Sequence, residues 1–435
     1  MLRSLFTGWQ RPTTHPVDTR GEGAESLIGF VVAAALVGVL TGVSAASFRL
    51  LLEQAARLRA GLAGWAHDSW MGLFVVVLVC AAAAAIAAAL VHRIEPHAEG
   101  SGIPRVEAVA DGRVKPDRFR ILPVKYIGGL LAISSGMALG REGPSVQMGG
   151  TAAVIVATIT RRNLADLRVL VAGGVFVLEE LVKRFDPRTT VATLVASASG
   201  FAAAHLLVSP GTEFHMARLA EPRLVEYGWV VAIGVVTGLL GVLYNAAVMF
   251  ALRRADASRL PREARAAATG ALVGLLVWVA PDLAGSGDNL TQNALLGRGA
   301  LLAITGVLVL RFVLGVVCYA AATPGGLFAP MLVLGSQSGL IVGLVAMHLT
   351  PHAVPSLAAC ALVGMAAFFT ASVNAPVTGL ILATEMTGNT NQLPPMLGAC
   401  AVAMLVAMAL RSESIYDRLA ERAAQAVQAS DPHHT

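Results

Sequence analysis

"GREGPSVQMGG", residues 140–150, sets Arg141 and Glu142 between two glycines and ahead of a proline. It follows the apolar run ILPVKYIGGLLAISSGMAL (121–139) and precedes a second apolar stretch. A charged pair at such a place costs about 3 kcal/mol or more per charge in hydrocarbon, and groups of that kind are retained for function. A helix broken there is tolerated where it lines a cavity or is buried in protein.

The rest of the chain supplies the hydrocarbon setting. Of 435 residues 56% are hydrophobic and 14% charged, and the mean hydropathy is +0.69. A soluble core of this length does not hide that much apolar surface. Runs near bilayer-spanning length fall at 26–48, 72–91, 121–139, 189–208, 227–252, 299–322, 327–349, 357–384 and 393–410. The expected class is an all-α polytopic membrane protein. About 25 polar residues with Arg3, Arg11 and Arg20 precede the first run, so it reads as a retained span and not as a signal peptide.

The net charge of +5 does not point to nucleic acid. The basic residues cluster in short loops: GRVKPDRFR (112–120), Arg161–Arg162, Lys183–Arg184 and 253–266. That is the pattern of loops and an N-terminus on the cytoplasmic side. Cys80, Cys318, Cys360 and Cys400 lie far apart in apolar runs and read as packing residues. The scattered histidines form no metal-ligand spacing, and no cofactor is expected.

Two further Gly/Pro interruptions match the first: GSGIP (100–104) and GLFAP (326–330). Pro104, Pro144 and Pro330 suit a first helical turn, where a missing N–H costs nothing. The remaining amides of each turn, backed by the helix dipole, point into the break. Three such ends converging would hold an anion without a full positive charge. The stretches 140–150 and 325–339 also look like counterparts in an internal repeat, the sequence pointer to a transporter with a midplane substrate site.

GSGIP, GREGPSVQMGG, GLFAPMLVLG and the late IYDRL (415–419) resemble, in order, the signature segments of the CLC chloride channels and chloride/proton antiporters, over residues 26–420. The resemblance implies an inverted-repeat helical bundle, chloride and protons as the transported ions, a lipid bilayer around it, and a homodimer in the bacterial inner membrane. It implies a cytoplasmic N-terminal segment (1–25), one transmembrane domain (repeats about 26–210 and 225–420) and a polar tail (421–435).

Carried over residue by residue, Ser101 is similar to the serine whose hydroxyl contacts the central anion, and Tyr416 to the tyrosine on its inner side. The amides of Leu327 and Phe328, with Gly326 and Gly143, would complete the anion site. Glu142 resembles the external gating glutamate, a tethered carboxylate that competes with chloride for the same amides and leaves when protonated. Glu180 resembles the internal proton glutamate of antiporters. Gly100, Gly102, Ile103, Pro104, Gly140, Arg141, Pro144 and Pro330 frame these positions. Ser101 fits the chloride-selective pattern, and Pro144 with Tyr416 argues against the fluoride-specific branch. The rival for Glu142 is a structural ion pair with Arg141; for Glu180 it is a surface pair with Lys183 or Arg184.

The sequence departs from the family pattern at one place. The second half carries an apolar run, 357–386, turned at Asn374-Ala375-Pro376, whereas the first half offers the ten residues VLVAGGVFVL (169–178) between basic flanks. As a helix they span about 15 Å, half the hydrocarbon thickness. A shortened first repeat near 165–180 is therefore expected, which puts proton coupling through Glu180 in question. Chloride/proton exchange is the expected activity, with passive chloride conduction or an inactive remnant as alternatives. No nucleophile–base pair points to an enzyme.

Overall fold

A computed structural model describes residues 24–67, 69–116, 119–160, 187–209, 211–352 and 355–429. The described residues form helices α1 (Ala24–Ala66), α2 (Trp70–Ile94), α3 (Ile103–Ala110), α4 (Ile121–Ser134), α5 (Glu142–Ile159) and α6 (Pro187–His205) in the first half. The second half holds α7 (Tyr227–Asp256), α8 (Arg262–Val279), α9 (Asp288–Leu295), α10 (Leu301–Tyr319), α11 (Phe328–Leu349), α12 (Leu357–Val373), α13 (Pro376–Thr387) and α14 (Leu393–Ala409). A last helix, α15 (Ile415–Ala429), follows. Among the described residues, extended pairing is confined to two isolated bridges, Gly100 with Pro324 and Gly140 with Gly326.

The two halves repeat one packing scheme. α1 packs on α6 as α7 packs on α14, α3 on α5 as α9 on α11, and α4 on α5 as α10 on α11. The repeat is clearest at a pair of turns, of which sequence reading singled out the first and not the second. Gly100-Ser101-Gly102 and Gly285-Ser286-Gly287 each have both glycines at positive φ, 63° and 80° in the first and 83° and 95° in the second. Left-handed backbone of this kind is open to glycine at little cost. Each turn follows a short 3-10 segment, 96–98 or 281–283, and leads into an eight-residue helix.

A buried cation grips each turn. Lys125 Nζ donates to Ala98 O (3.0 Å) and Gly100 O (2.6 Å). Arg311 Nη1 donates to Leu283 O (3.1 Å) and Gly285 O (2.8 Å), and its Nη2 to Ser286 O (2.7 Å).

Burial follows from where lipid would lie. α11 and α12 are buried along nearly their whole length, and glycines let them touch: a methyl on Gly339 would sit 2.1 Å from Cys360 O, and one on Gly364 2.5 Å from Gly335 O. By contrast α2 exposes Trp70, Met71, Phe74 and Leu78. α1, α2, the segment 224–256, α10 and α11 are long and apolar enough to cross a bilayer.

Two expected spans are shorter than their apolar runs. The run 121–139 leaves the helix after Ser134, and 357–384 divides at Asn374 (φ 62°) into α12 and α13, at the turn read from Asn374-Ala375-Pro376. Hydropathy alone does not see these stops, because protein and not lipid surrounds them. The first run also continues as helix far beyond residue 48, to Ala66. Arg59 near that end donates to Ser134 O (2.9 Å), satisfying a carbonyl at the close of α4.

Charged residues tie the α7–α8 connection to the last helix and to the segment before α3. Arg422 forks onto Asp256 (2.7 and 2.9 Å) and approaches Glu99 (3.8 Å), while Arg262 lies 3.8 Å from the same glutamate. The hydrogen bonds to Asp256 raise the Arg422 pKa above its ordinary value. The shortened hairpin expected at 165–180 lies outside the described residues. The flanking helices α5 and α6 are separated by 27 residues (160–186), against 43 (350–392) between α11 and α14, where the second half fits both α12 and α13.

Candidate functional site

The three interrupted segments meet. Gly100 N–H donates to Thr323 O (3.1 Å) and Gly325 N–H to Gly100 O (3.0 Å). Gly140 and Gly326 exchange both main-chain bonds at 2.8 Å. Residues 323–326 thus lie between the other two turns and hold them in register. The contact leaves no room for side chains: a methyl on Gly143 would sit 2.6 Å from Ser101 Oγ and 2.9 Å from its Cα, and one on Gly326 3.0 Å from Gly143 N.

Each following helix starts without a side-chain cap, from Gly102, Arg141 and Leu327. The first helical bonds of α5 and α11 are Ser145 N–H to Arg141 O and Met331 N–H to Leu327 O, both 3.0 Å. The amides of Glu142, Gly143, Phe328 and Ala329 therefore precede the helical ladder. With the positive dipole ends behind them, they form an electrophilic seam between two helix starts.

Ser101 is 1% exposed, and its hydroxyl has no hydrogen-bond partner among the described residues. Its N–H is taken by Tyr319 Oη (3.4 Å). An unmatched buried hydroxyl costs about 1–3 kcal/mol, so an acceptor beside it is favoured.

Glu142 points one carboxylate oxygen inward. A methyl on Gly140 would lie 2.3 Å from Glu142 Oε2 and 3.0 Å from Ala329 N, so that oxygen sits beside the α11 start. It is buried and without a hydrogen-bond partner among the described residues. The other oxygen, Oε1, is 4.0 Å from Arg141 Nε. Glu142 borders a cleft of about 100 Å³ lined by Glu53, Arg59, Arg141, Ser286 and Asp288 among others. The glutamate thus stands between the seam and that cleft.

Arg141 bonds elsewhere. Its Nη2 donates to Glu213 Oε1 at 2.5 Å, and Arg49 reaches the second oxygen of the same carboxylate at 2.9 Å. The structural pair for Arg141 is Glu213, and Glu142 is at the outer limit of an ion-pair contact.

Among the expected residues, Ser101, Gly100, Gly102, Gly140, Glu142, Gly143 and Gly326 come together, and Leu327 and Phe328 open α11 beside them. Ile103 and Pro104 begin α3, and Pro144 and Pro330 stand in the first turns of α5 and α11. Tyr416 is buried, its N–H donating to Ser414 Oγ (3.2 Å), in a helix that packs on α3. Glu180 lies outside the described residues.

Sequence reading missed Lys125, Tyr319, Glu213 and Gln147. Lys125 carried a usable signal, a lysine inside an apolar run. Gln147 stands in the opening motif itself; its Nε2 donates to His97 O at 2.9 Å, and a methyl on Gly102 would lie 2.2 Å from its Oε1. Tyr319 and Glu213 had no local signal.

Comparison with known proteins gives a consistent picture. The family model described as voltage gated chloride channel matches residues 83–408. The chain is 32% identical over 447 residues to the H+/Cl− exchange transporter ClcA of Vibrio parahaemolyticus, covering 97% of this chain and 95% of that one. It is 33% identical over 417 residues to ClcA of Vibrio cholerae, with 89% and 88% covered. Its structure resembles that of a slow cyanobacterial Cl−/H+ antiporter with a TM-score of 0.86 and 27% identity, over 94% of this chain and 99% of that one.

Proposed function

This chain belongs to the voltage gated chloride channel (CLC) family, and from that premise we propose that it exchanges chloride for protons across a bacterial inner membrane. The observation that carries the reading is the Glu142 carboxylate held beside the uncapped start of α11, with an unmatched Ser101 hydroxyl against the neighbouring Gly143. Donors without acceptors favour chloride, and a carboxylate in the same place is its competitor.

In the proposed cycle, ionised Glu142 occupies the seam and blocks the outer side. A proton arriving from the cleft neutralises it, weakens its hold on the amides, and lets chloride take its place. Ser101 Oγ–H and the amides of Gly143, Leu327 and Phe328 bind the anion; the Gly326 amide, expected to join them, is spent on Gly140 O, so Gly326 shapes the turn instead, and Tyr416 closes the inner side. Glu180 is the proposed inner proton acceptor. The relatives named as H+/Cl− exchangers support exchange over simple conduction. Every described site residue comes from one chain, so a homodimer would hold two paths.

Glu142→Gln mimics the protonated gate. In proteoliposomes chloride efflux should persist, its dependence on external pH should flatten, and proton uptake driven by a chloride gradient should disappear. A monodisperse Glu142→Gln protein whose efflux stays as pH-dependent as the parent would overturn the gate assignment. Parent protein that moves chloride with no coupled proton would instead establish a channel.

A further inference from the structure

Glu213 lies in the connection between α6 and α7, 72 residues from Arg141, where no motif marks it. The connection is nevertheless fastened on both sides of that residue. Phe214 N–H donates to Met386 O at the end of α13 (2.9 Å). His215 exchanges bonds with Gln292 of α9, its N–H to Gln292 Oε1 (2.8 Å) and its carbonyl accepting from Gln292 Nε2 (2.7 Å). The Phe214 side chain is buried. A loop pinned to two helices of the second half thus delivers one carboxylate to the gate of the first half.

We propose that Glu213 is a positioning residue that holds Arg141 off Glu142 and thereby sets the pH at which the gate opens. The inference rests on Glu142 acting as the gate. Every charged group facing that glutamate enters the balance: Arg141 beside it, Arg49, Glu53 and Arg59 from α1, Asp288 from the start of α9, and Glu213. Glu213 binds Arg141 in a charge-assisted hydrogen bond, whereas the gate carboxylate keeps an unbonded contact with the same guanidinium. If Glu213 loses its charge, Arg141 is free to turn to Glu142 and a negative neighbour vanishes as well. Both changes favour ionised Glu142, so opening requires more acid. Loss of Arg49 acts oppositely, because it removes a cation and leaves Glu213 wholly to Arg141.

The test measures chloride efflux against external pH for the parent, Glu213→Gln and Arg49→Gln. The Glu213→Gln midpoint should fall by about one pH unit, the scale of one charge several Å away in a partly solvated site. The Arg49→Gln midpoint should rise. General loosening of the fold does not move the two in opposite directions. In a Glu142→Gln background, Glu213→Gln should leave an already flat profile unchanged. A monodisperse Glu213→Gln protein with the parent profile, or shifts of both variants in the same direction, would refute the proposal. If Glu213→Gln yields no folded protein, Arg49→Gln decides alone, and an unchanged or acid-shifted midpoint refutes it. PH dependence surviving in Glu142→Gln by itself would instead strike the gate reading on which this one rests.

Discussion

Ser101 and Glu142 show how much a single atom's surroundings decide. The Ser101 hydroxyl is buried yet bonds to no described protein group, so the fold gains little from it, whereas a bound anion gains a donor. Ser101→Ala should therefore leave thermal unfolding nearly unchanged. Chloride binding, followed by titration calorimetry, should weaken about tenfold, the worth of one hydrogen bond to a charged partner. An equal loss of stability and affinity would mean that the hydroxyl serves the fold. Glu142 differs because one of its oxygens is buried beside the α11 start while the residue also borders the cleft. In the proposed cycle that placement would let a proton arriving from the cleft change what happens at the amides.

At the scale of elements, the site depends on short turns that main-chain bonds alone do not fix. The two Gly-Ser-Gly turns expose carbonyls to the interior, and Lys125 and Arg311 satisfy them from α4 and α10. A cation surrounded by carbonyls has exchanged hydration for fixed dipoles. Arg311→Met would strand three acceptors at about 1–3 kcal/mol each, partly offset by the arginine desolvation it relieves. The net expectation is a destabilisation of about 2 kcal/mol or more, read as a lower unfolding midpoint in detergent. An unchanged midpoint would show that water can replace the guanidinium. The broken helices follow the same logic: α12 and α13 together replace one span, and the turn at Asn374 is tolerated because protein covers it.

At the scale of the molecule, two half-repeats face each other across the seam, and the outermost helices present apolar side chains. Leu397, Leu405 and Met408 of α14 stand more than half exposed on one helix. If that face joins two copies, the protein in mild detergent has twice the 44.9 kDa chain mass, and Leu405→Trp shifts it towards monomer by light scattering. Chloride flux per chain should survive, since every described site residue comes from one chain; a monomer without flux would show that the second copy completes the path. What the sequence by itself determined was the membrane class, the all-helical fold, the repeat and the positions of the interrupted helix starts. Proline, glycine and hydrophobic run length act locally, so Pro144, Pro330 and Gly326 can be read where they stand. The partners of those helix starts were decided by the tertiary structure alone. Tyr319 meets Ser101 across 218 residues and Glu213 meets Arg141 across 72. Such pairings depend on how whole helices pack, and a polar residue in a loop carries no mark of the charge it will face.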